Sequence, residues 1–196
     1  LEAQVVNLAD EIAYNAHDID DGVRSGLLDA GQLDGLAAYG RIRHAVLVDF
    51  PDLATRGRRL LFEVLRRMLS RQVHDLVDCT SQALREAAPH DVDAVRRLPA
   101  LAALPSEGRA EFTELKRFLF AALYRHPQVV QTTTEARRVV LDLFAAYVGV
   151  PGEMPADFQA ATDRPRAVAD YIAGMTDRFA LREYHRLTGR VPFPAA

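Results

Sequence analysis

The amino-acid sequence predicts an all-α fold, a helical bundle, on three observations. Apolar residues recur at steps of three and four over long stretches, as in Val5, Leu8, Ile12, Ala16, Ile19 and Val23. No stretch sustains the apolar–polar alternation of a strand. Most prolines and glycines fall between the periodic stretches rather than within them. The chain has 196 residues, 49% hydrophobic and 26% charged, enough for one domain, or one with a small appendage, to bury a substantial core. A net charge of −3 argues against bulk nucleic-acid binding while leaving room for a local basic patch. Cys79 is alone, which excludes a disulfide framework or a cysteine metal cluster. No apolar run is long enough for a membrane span. A cytoplasmic setting without membrane contact is the expectation.

The first helix is the opening stretch LEAQVVNLADEIAYNAHDIDDGVR. Opposite its apolar seam stand Asp10, Tyr14, His17, Asp18 and Asp21. Residues four apart rise about 6 Å, so Asp10, Tyr14 and Asp18 form a ladder of carboxylate, phenol and carboxylate about 12 Å long. Gly26, Gly31 and Gly35 then mark a loop, with a short helix at 32–38 and another over Ile42–Asp49. Asp49-Phe50-Pro51-Asp52 is a break, because the residue before proline disfavours helix. The longest periodic segment runs from Thr55, read as its N-cap, to about Ala88, where Pro89 ends it. Leu60, Leu61, Val64, Leu65, Met68, Leu69, Val73, Leu76, Val77 and Leu84 mark its core face.

Residues 90–108 read as a surface connection with a helical turn or two, Asp91 favouring a helix start. A helix over Arg109–Tyr124 turns Phe112, Leu115, Leu119 and Leu123 to the core, with Phe118, Phe120 and Ala122 broadening the stripe; His126-Pro127 stops it. Thr134–Tyr147 is the next helix, capped within the threonine run. Gly149–Gly152 makes a turn, a short helical piece follows at 155–161, and Asp163-Arg164-Pro165 is a break. The last helix, in one part or two, covers Arg166–Leu187 with Gly189 beyond its end, and VPFPAA is a frayed tail. The sequence opens at Leu1 inside a helical pattern with no N-cap residue, so it is expected to be the carboxy-terminal part of a longer protein.

Several chemistry-bearing motifs are missing: no phosphate-cradling glycine loop, no H-E-x-x-H, no C-x-x-C, no G-x-S-x-G. The His-Asp pairs at 17, 74 and 90 are of a kind common by chance. The acidic ladder suits a metal ion at one end and a sugar or base further along, and on physics alone it suits bulk water better, since any surface helix has a polar face.

Three passages nevertheless carry a resemblance: LEAQVVNLADEIAYNAHDIDD, LKRFLFAALYRHPQV and RAVADYIAGMTDRFALREYHRLTG. In this order they resemble the deoxyguanosinetriphosphate triphosphohydrolase-like branch of the HD-domain phosphohydrolases, in its carboxy-terminal portion. The resemblance implies that residues 1–30 are the last metal-ligand helix of an incomplete HD domain and 31–196 a helical associated region. It implies that Asp10 is the final metal-ligating aspartate and that Tyr14 and Asp18 lie beside the nucleotide. His17, Lys116 and Tyr124 are further candidates for the phosphate and sugar walls, as are Arg117 and His126. Lys116 and Arg117 are at least as readily exposed helix charges. Asp170, Tyr171, Asp177 and Arg178 are expected to be structural.

The reaction implied is hydrolysis of a deoxynucleoside triphosphate to deoxynucleoside and triphosphate with Mn²⁺, Mg²⁺ or Fe²⁺, which hard oxygen and imidazole ligands suit. The family's H…HD ligands would lie upstream, and one aspartate does not hold a metal. This chain alone is therefore expected to bind no metal and to be inactive. A homo-oligomer, with a regulatory nucleotide or single-stranded DNA, is a further implication. Arg56, Arg58, Arg59, Arg66, Arg67 and Arg71 are candidates for such a patch, although a solvated basic helix face is the plainer reading. The alternative is a non-catalytic helical regulatory or oligomerisation module.

Overall fold

The seam of the opening stretch winds it into one uninterrupted helix, α1 (Glu2–Arg24), with Ile12 and Ile19 fully buried. A computed structural model describes residues 1–193, so the last three residues of the expected VPFPAA tail lie outside the described residues. Ser25 and Gly26 end α1, Gly26 at φ +75°, a left-handed conformation that glycine takes without a Cβ penalty. Two short helices follow, α2 (Ala30–Leu33), opened by an Asp29–Gln32 capping box, and α3 (Ala37–Asp49). Phe50 breaks the helix as expected, but Pro51–Thr55 is a 3₁₀ turn. Thr55 is therefore not the N-cap of the long helix α4 (Gly57–Ala87), whose cap position is Arg56. α4 ends at Ala88 in a left-handed conformation just before Pro89.

The core face of α4 holds over its first half and thins over its second. Leu60, Leu61, Val64, Leu65, Met68 and Leu76 are buried, whereas Leu69, Val73 and Val77 are exposed. The stretch after α4 corrects a second expectation. Asp91 caps α5 (Val92–Arg97) by accepting from Ala94 N–H, but Leu101, Ala102 and Leu104 are buried, so this is not a surface connection. The Gln4 side chain pins it by accepting from the Leu101 and Ala102 amides at 2.9 and 3.2 Å. These residues cover Ile12, Leu76 and Phe112 in a small core. The main core of the first unit joins α1, α3, α4 and α6 (Ser106–Leu119) through Ile19, Tyr39, Val46, Val64, Leu115 and Leu119. Phe120, expected to broaden the α6 stripe, is exposed instead.

Compactness divides the chain into two units after His126. The second unit opens with α7 (Pro127–Gly149), which starts seven residues before the expected Thr134. Pro127 sits in the first helical position, where a missing N–H costs nothing. Thr132, Thr133 and Thr134 lie inside the helix, not at a cap, and their hydroxyls donate to carbonyls four residues back at 2.7–2.9 Å. A 3₁₀ turn (Pro151–Glu153) and α8 (Ala156–Gln159) lead to α9 (Arg164–Ala173), capped by Asp163, and α10 (Asp177–Thr188), capped by Thr176 and closed by Gly189 at φ +69°. The unit's core is Val139, Leu143, Tyr147, Met154, Val168 and Tyr184. Asp170 pairs with Arg166 at 2.9 Å, and Tyr171 packs edge-on against Tyr147. No strand occurs among the described residues, so the all-α expectation holds.

Candidate functional site

Because α1 runs unbroken through residues 10–18, Asp10, Tyr14 and Asp18 keep the spacing of one turn each. Asp10, Tyr14 and His17 are exposed, and Asp18 is half-buried. The apolar seam on the other side is anchored in both cores of the first unit, through Ile12 in one and Ile19 in the other. Burial of those two side chains fixes which face of the helix the ladder occupies. Asn15 is also buried, and its Nδ2 has no hydrogen-bond partner, a polar atom set among the seam residues.

Two of the candidates come together across elements. The Tyr124 hydroxyl donates to an Asp18 carboxylate oxygen, although 106 residues separate them in sequence. Tyr124 reaches α1 from a π turn (Phe120–Tyr124) that widens the end of α6, closed by Arg125 N–H donating to Phe120 C=O five residues back at 3.1 Å. Such widened turns are rare and often accompany functional sites, because they re-aim a side chain without ending the helix. The hydrogen bond to Asp18, then partial burial, then the carboxylate charge push the Tyr124 phenol up to about 12. At neutral pH it is a donor, and it holds Asp18 in place.

Lys116 meets a residue that inspection of the sequence passed over. Its Nζ lies 3.2 Å from Glu11 Oε2 and 5.7 Å from the centre of the Phe112 ring. Glu11 stands beside Asp10 in sequence but about 100° around α1 from it. The only clue in the sequence is a carboxylate between the two faces, and its partner is 105 positions away. Together these side chains line one wall of an open groove of about 630 Å³ between α1 and α6, with Leu8, Arg109, Arg117 and Phe120. The groove floor is apolar and its rim cationic, an arrangement that accepts a flat apolar group with an anionic tail. No side-chain hydrogen bond or ion pair engages Asp10, Tyr14 or His17 among the described residues, so the structure does not join them to Lys116 or Tyr124 by contact.

A divalent ion needs three or four ligands. Among the described residues no group of three or more His, Cys, Asp or Glu side chains is placed to hold one. The residues of this chain by themselves do not fit the metal that the resemblance implies, and no chemical step follows from such an ion here.

Comparison with known proteins adds two findings. Residues 102–186 match the phosphohydrolase-associated domain, which takes in α6, the π turn with Tyr124, and most of the second unit. Proteins called deoxyguanosinetriphosphate triphosphohydrolase-like, from Bordetella pertussis and Azoarcus sp., are each 47% identical over 189 residues, covering 95% of this chain and 49% of the relative. Another from Ralstonia nicotianae is 46% identical over 189 residues, covering 95% and 48%. The chain thus spans about half the length of the curated relatives it matches.

Proposed function

Starting from a chain that matches the deoxyguanosinetriphosphate triphosphohydrolase-like family of HD-domain phosphohydrolases, we propose that it serves a metal-dependent hydrolase of deoxynucleoside triphosphates. In that reading it is the carboxy-terminal part of the enzyme, and the products are a deoxynucleoside and inorganic triphosphate. The observation that carries the reading is the Tyr124–Asp18 hydrogen bond, which joins the acidic face of α1 to the matched associated region. Asp18, held by Tyr124, offers a fixed carboxylate acceptor for a sugar hydroxyl. Tyr14, one turn before it, offers a phenol to stack on or hydrogen-bond the deoxyribose. Lys116 supplies positive charge for phosphate oxygens, and His17 is a second candidate for contact with them.

Asp10 is the single metal ligand this chain would contribute, and the others would come from elsewhere in the longer protein. The 196-residue chain alone is accordingly expected to release no triphosphate from any deoxynucleoside triphosphate. Its metal, oligomeric assembly and regulation by nucleotide or single-stranded DNA belong to the same proposal.

The test is Asp10→Ala in the longer parent protein, assayed for triphosphate release and for thermal unfolding. Turnover is expected to fall by at least about 10²-fold, the scale on which electrostatic contacts at reacting groups act. The melting temperature is expected to stay within about 2 °C, because Asp10 is exposed and outside both cores. Near-normal turnover removes Asp10 from the site and favours the non-catalytic helical module.

A further inference from the structure

The apolar stripe of α4 runs on past its core. Leu69, Val73 and Val77 keep the spacing of four residues that marks a buried helix face, yet Val73 and Val77 are 45% and 55% exposed. With Val5, Ala9 and Ala13 of α1 these three line an open groove of about 500 Å³, whose lining holds no charged side chain. Single exposed apolar residues are ordinary, but a continuous apolar groove at a helical period marks a contact surface. We propose that this groove between α1 and the second half of α4 seats an amphipathic helix from the rest of the longer protein.

Length is the first argument for that occupant. The chain covers 49% of the Bordetella pertussis relative and 48% of the one from Ralstonia nicotianae, so about as much polypeptide again has to pack somewhere. Shape is the second. From Leu69 to Ser81 the α4 wall rises about 18 Å, room for some three turns of a helix laid in the furrow between two others. A symmetric dimer would instead set the groove against itself, and two facing hollows leave a void.

The third argument is a polar atom. Thr80 is in the same lining and only 8% exposed, and its hydroxyl has no hydrogen-bond partner among the described residues. Thr132, Thr133 and Thr134 show the usual outcome within a helix, donating to carbonyls four residues back. A buried hydroxyl left unpaired is destabilising, and a polar side chain on the incoming helix supplies what Thr80 lacks. The seated helix also borders the acidic face of α1, because Asp10 follows Ala9 by about 100° around the axis. The inference rests on the proposed function in one respect, that the chain is part of a longer protein.

The experiment compares thiol accessibility at position 77 in the 196-residue chain and in the longer parent protein. Val77→Cys is made in both together with Cys79→Ser, and maleimide incorporation at residue 77 is followed by peptide mass spectrometry, with the denatured proteins as reference. Labelling is expected to be at least about tenfold slower in the parent, where it must wait for local opening. Equal rates overturn the proposal. Slow labelling of the 196-residue chain alone overturns it as well, since the face would then be covered without the rest of the protein. Protection in the parent that fades on dilution assigns the groove to a second copy and has the same effect. Hydrogen exchange over residues 69–81 of the two unsubstituted proteins repeats the comparison without a variant, and is expected to be slower in the parent. Triphosphate release is measured separately. A parent that shields position 77 but releases no triphosphate counts against the hydrolase reading alone, and an active parent with position 77 open counts against the docked helix alone.

Discussion

Gly22 shows how one missing methyl group shapes the first unit. A Cβ there would lie 2.5 Å from Leu28 Cδ1 and 2.7 Å from its Cγ, and Leu28 is only 3% exposed. Alanine would gain about 1 kcal/mol of helix propensity, but overpacking a closed core costs about 1–3 kcal/mol. Leu28 has little room to retreat, because Leu123 Cδ1 also comes within 3.4 Å of the new atom. Gly22→Ala is therefore expected to be destabilising by about 1 kcal/mol in chemical denaturation. A stabilised variant would mean that Leu28 repacks freely. Such a requirement cannot be read from the sequence, where Gly22 is one small residue beside the apolar seam. Glu11 escapes notice for the same reason: a contact 105 positions away leaves no mark on the periodicity of either helix.

At the scale of an element, α4 is stabilised along its charged side by Glu63, which accepts from both Arg66 and Arg67. Those hydrogen bonds hold its carboxyl down at about 2, against an ordinary value of 4.5. A lowered carboxyl pKa adds stability that is present above about pH 4.5 and is lost as the pH falls through about 2. Glu63→Gln should therefore be less stable than the parent near pH 6, with the gap closing progressively from about pH 4.5 towards pH 2. Urea midpoints at the two ends of that window measure it, and a gap independent of pH would place the effect elsewhere. Helices with a local stripe, such as α1 and the first half of α4, were legible because the pattern and the burial coincide. The start of α7 was not, since Pro127 reads equally as a stop or a first turn. Leu101, Ala102 and Leu104 were hidden because a buried non-helical segment has no period at all.

For the whole molecule, the two compact units have separate sets of core residues, and the second depends on few side chains. Leu143 is 0% exposed among Val139, Tyr147, Val168 and Tyr184, so Leu143→Ala is expected to cost about 2–5 kcal/mol. That is a large share of what a small domain has in hand. Hydrogen exchange should then show protection lost across α7, α9 and α10; a change below about 1 kcal/mol would mean the core collapses around the gap. Polar groups at the edge of this core support it. The Tyr147 hydroxyl donates to Glu183 at 2.6 Å, and Arg186 joins Glu183 to Glu153 at 2.7 and 2.6 Å. The candidate site was legible in part: the acidic ladder came from spacing, its roles from resemblance, and the Tyr124–Asp18 join only from three dimensions.

The wide turn at the end of α6 takes up one residue more than a regular turn would hold between Phe120 and Tyr124. A helix that absorbs an added residue in this way keeps the chain on either side in phase, and the backbone hydrogen bonds at the bulge are the poorer for it. Deleting Ala121 should therefore let the segment relax to ordinary winding with the phenol still turned to Asp18, so that the carboxylate keeps its donor and only the local slack is lost.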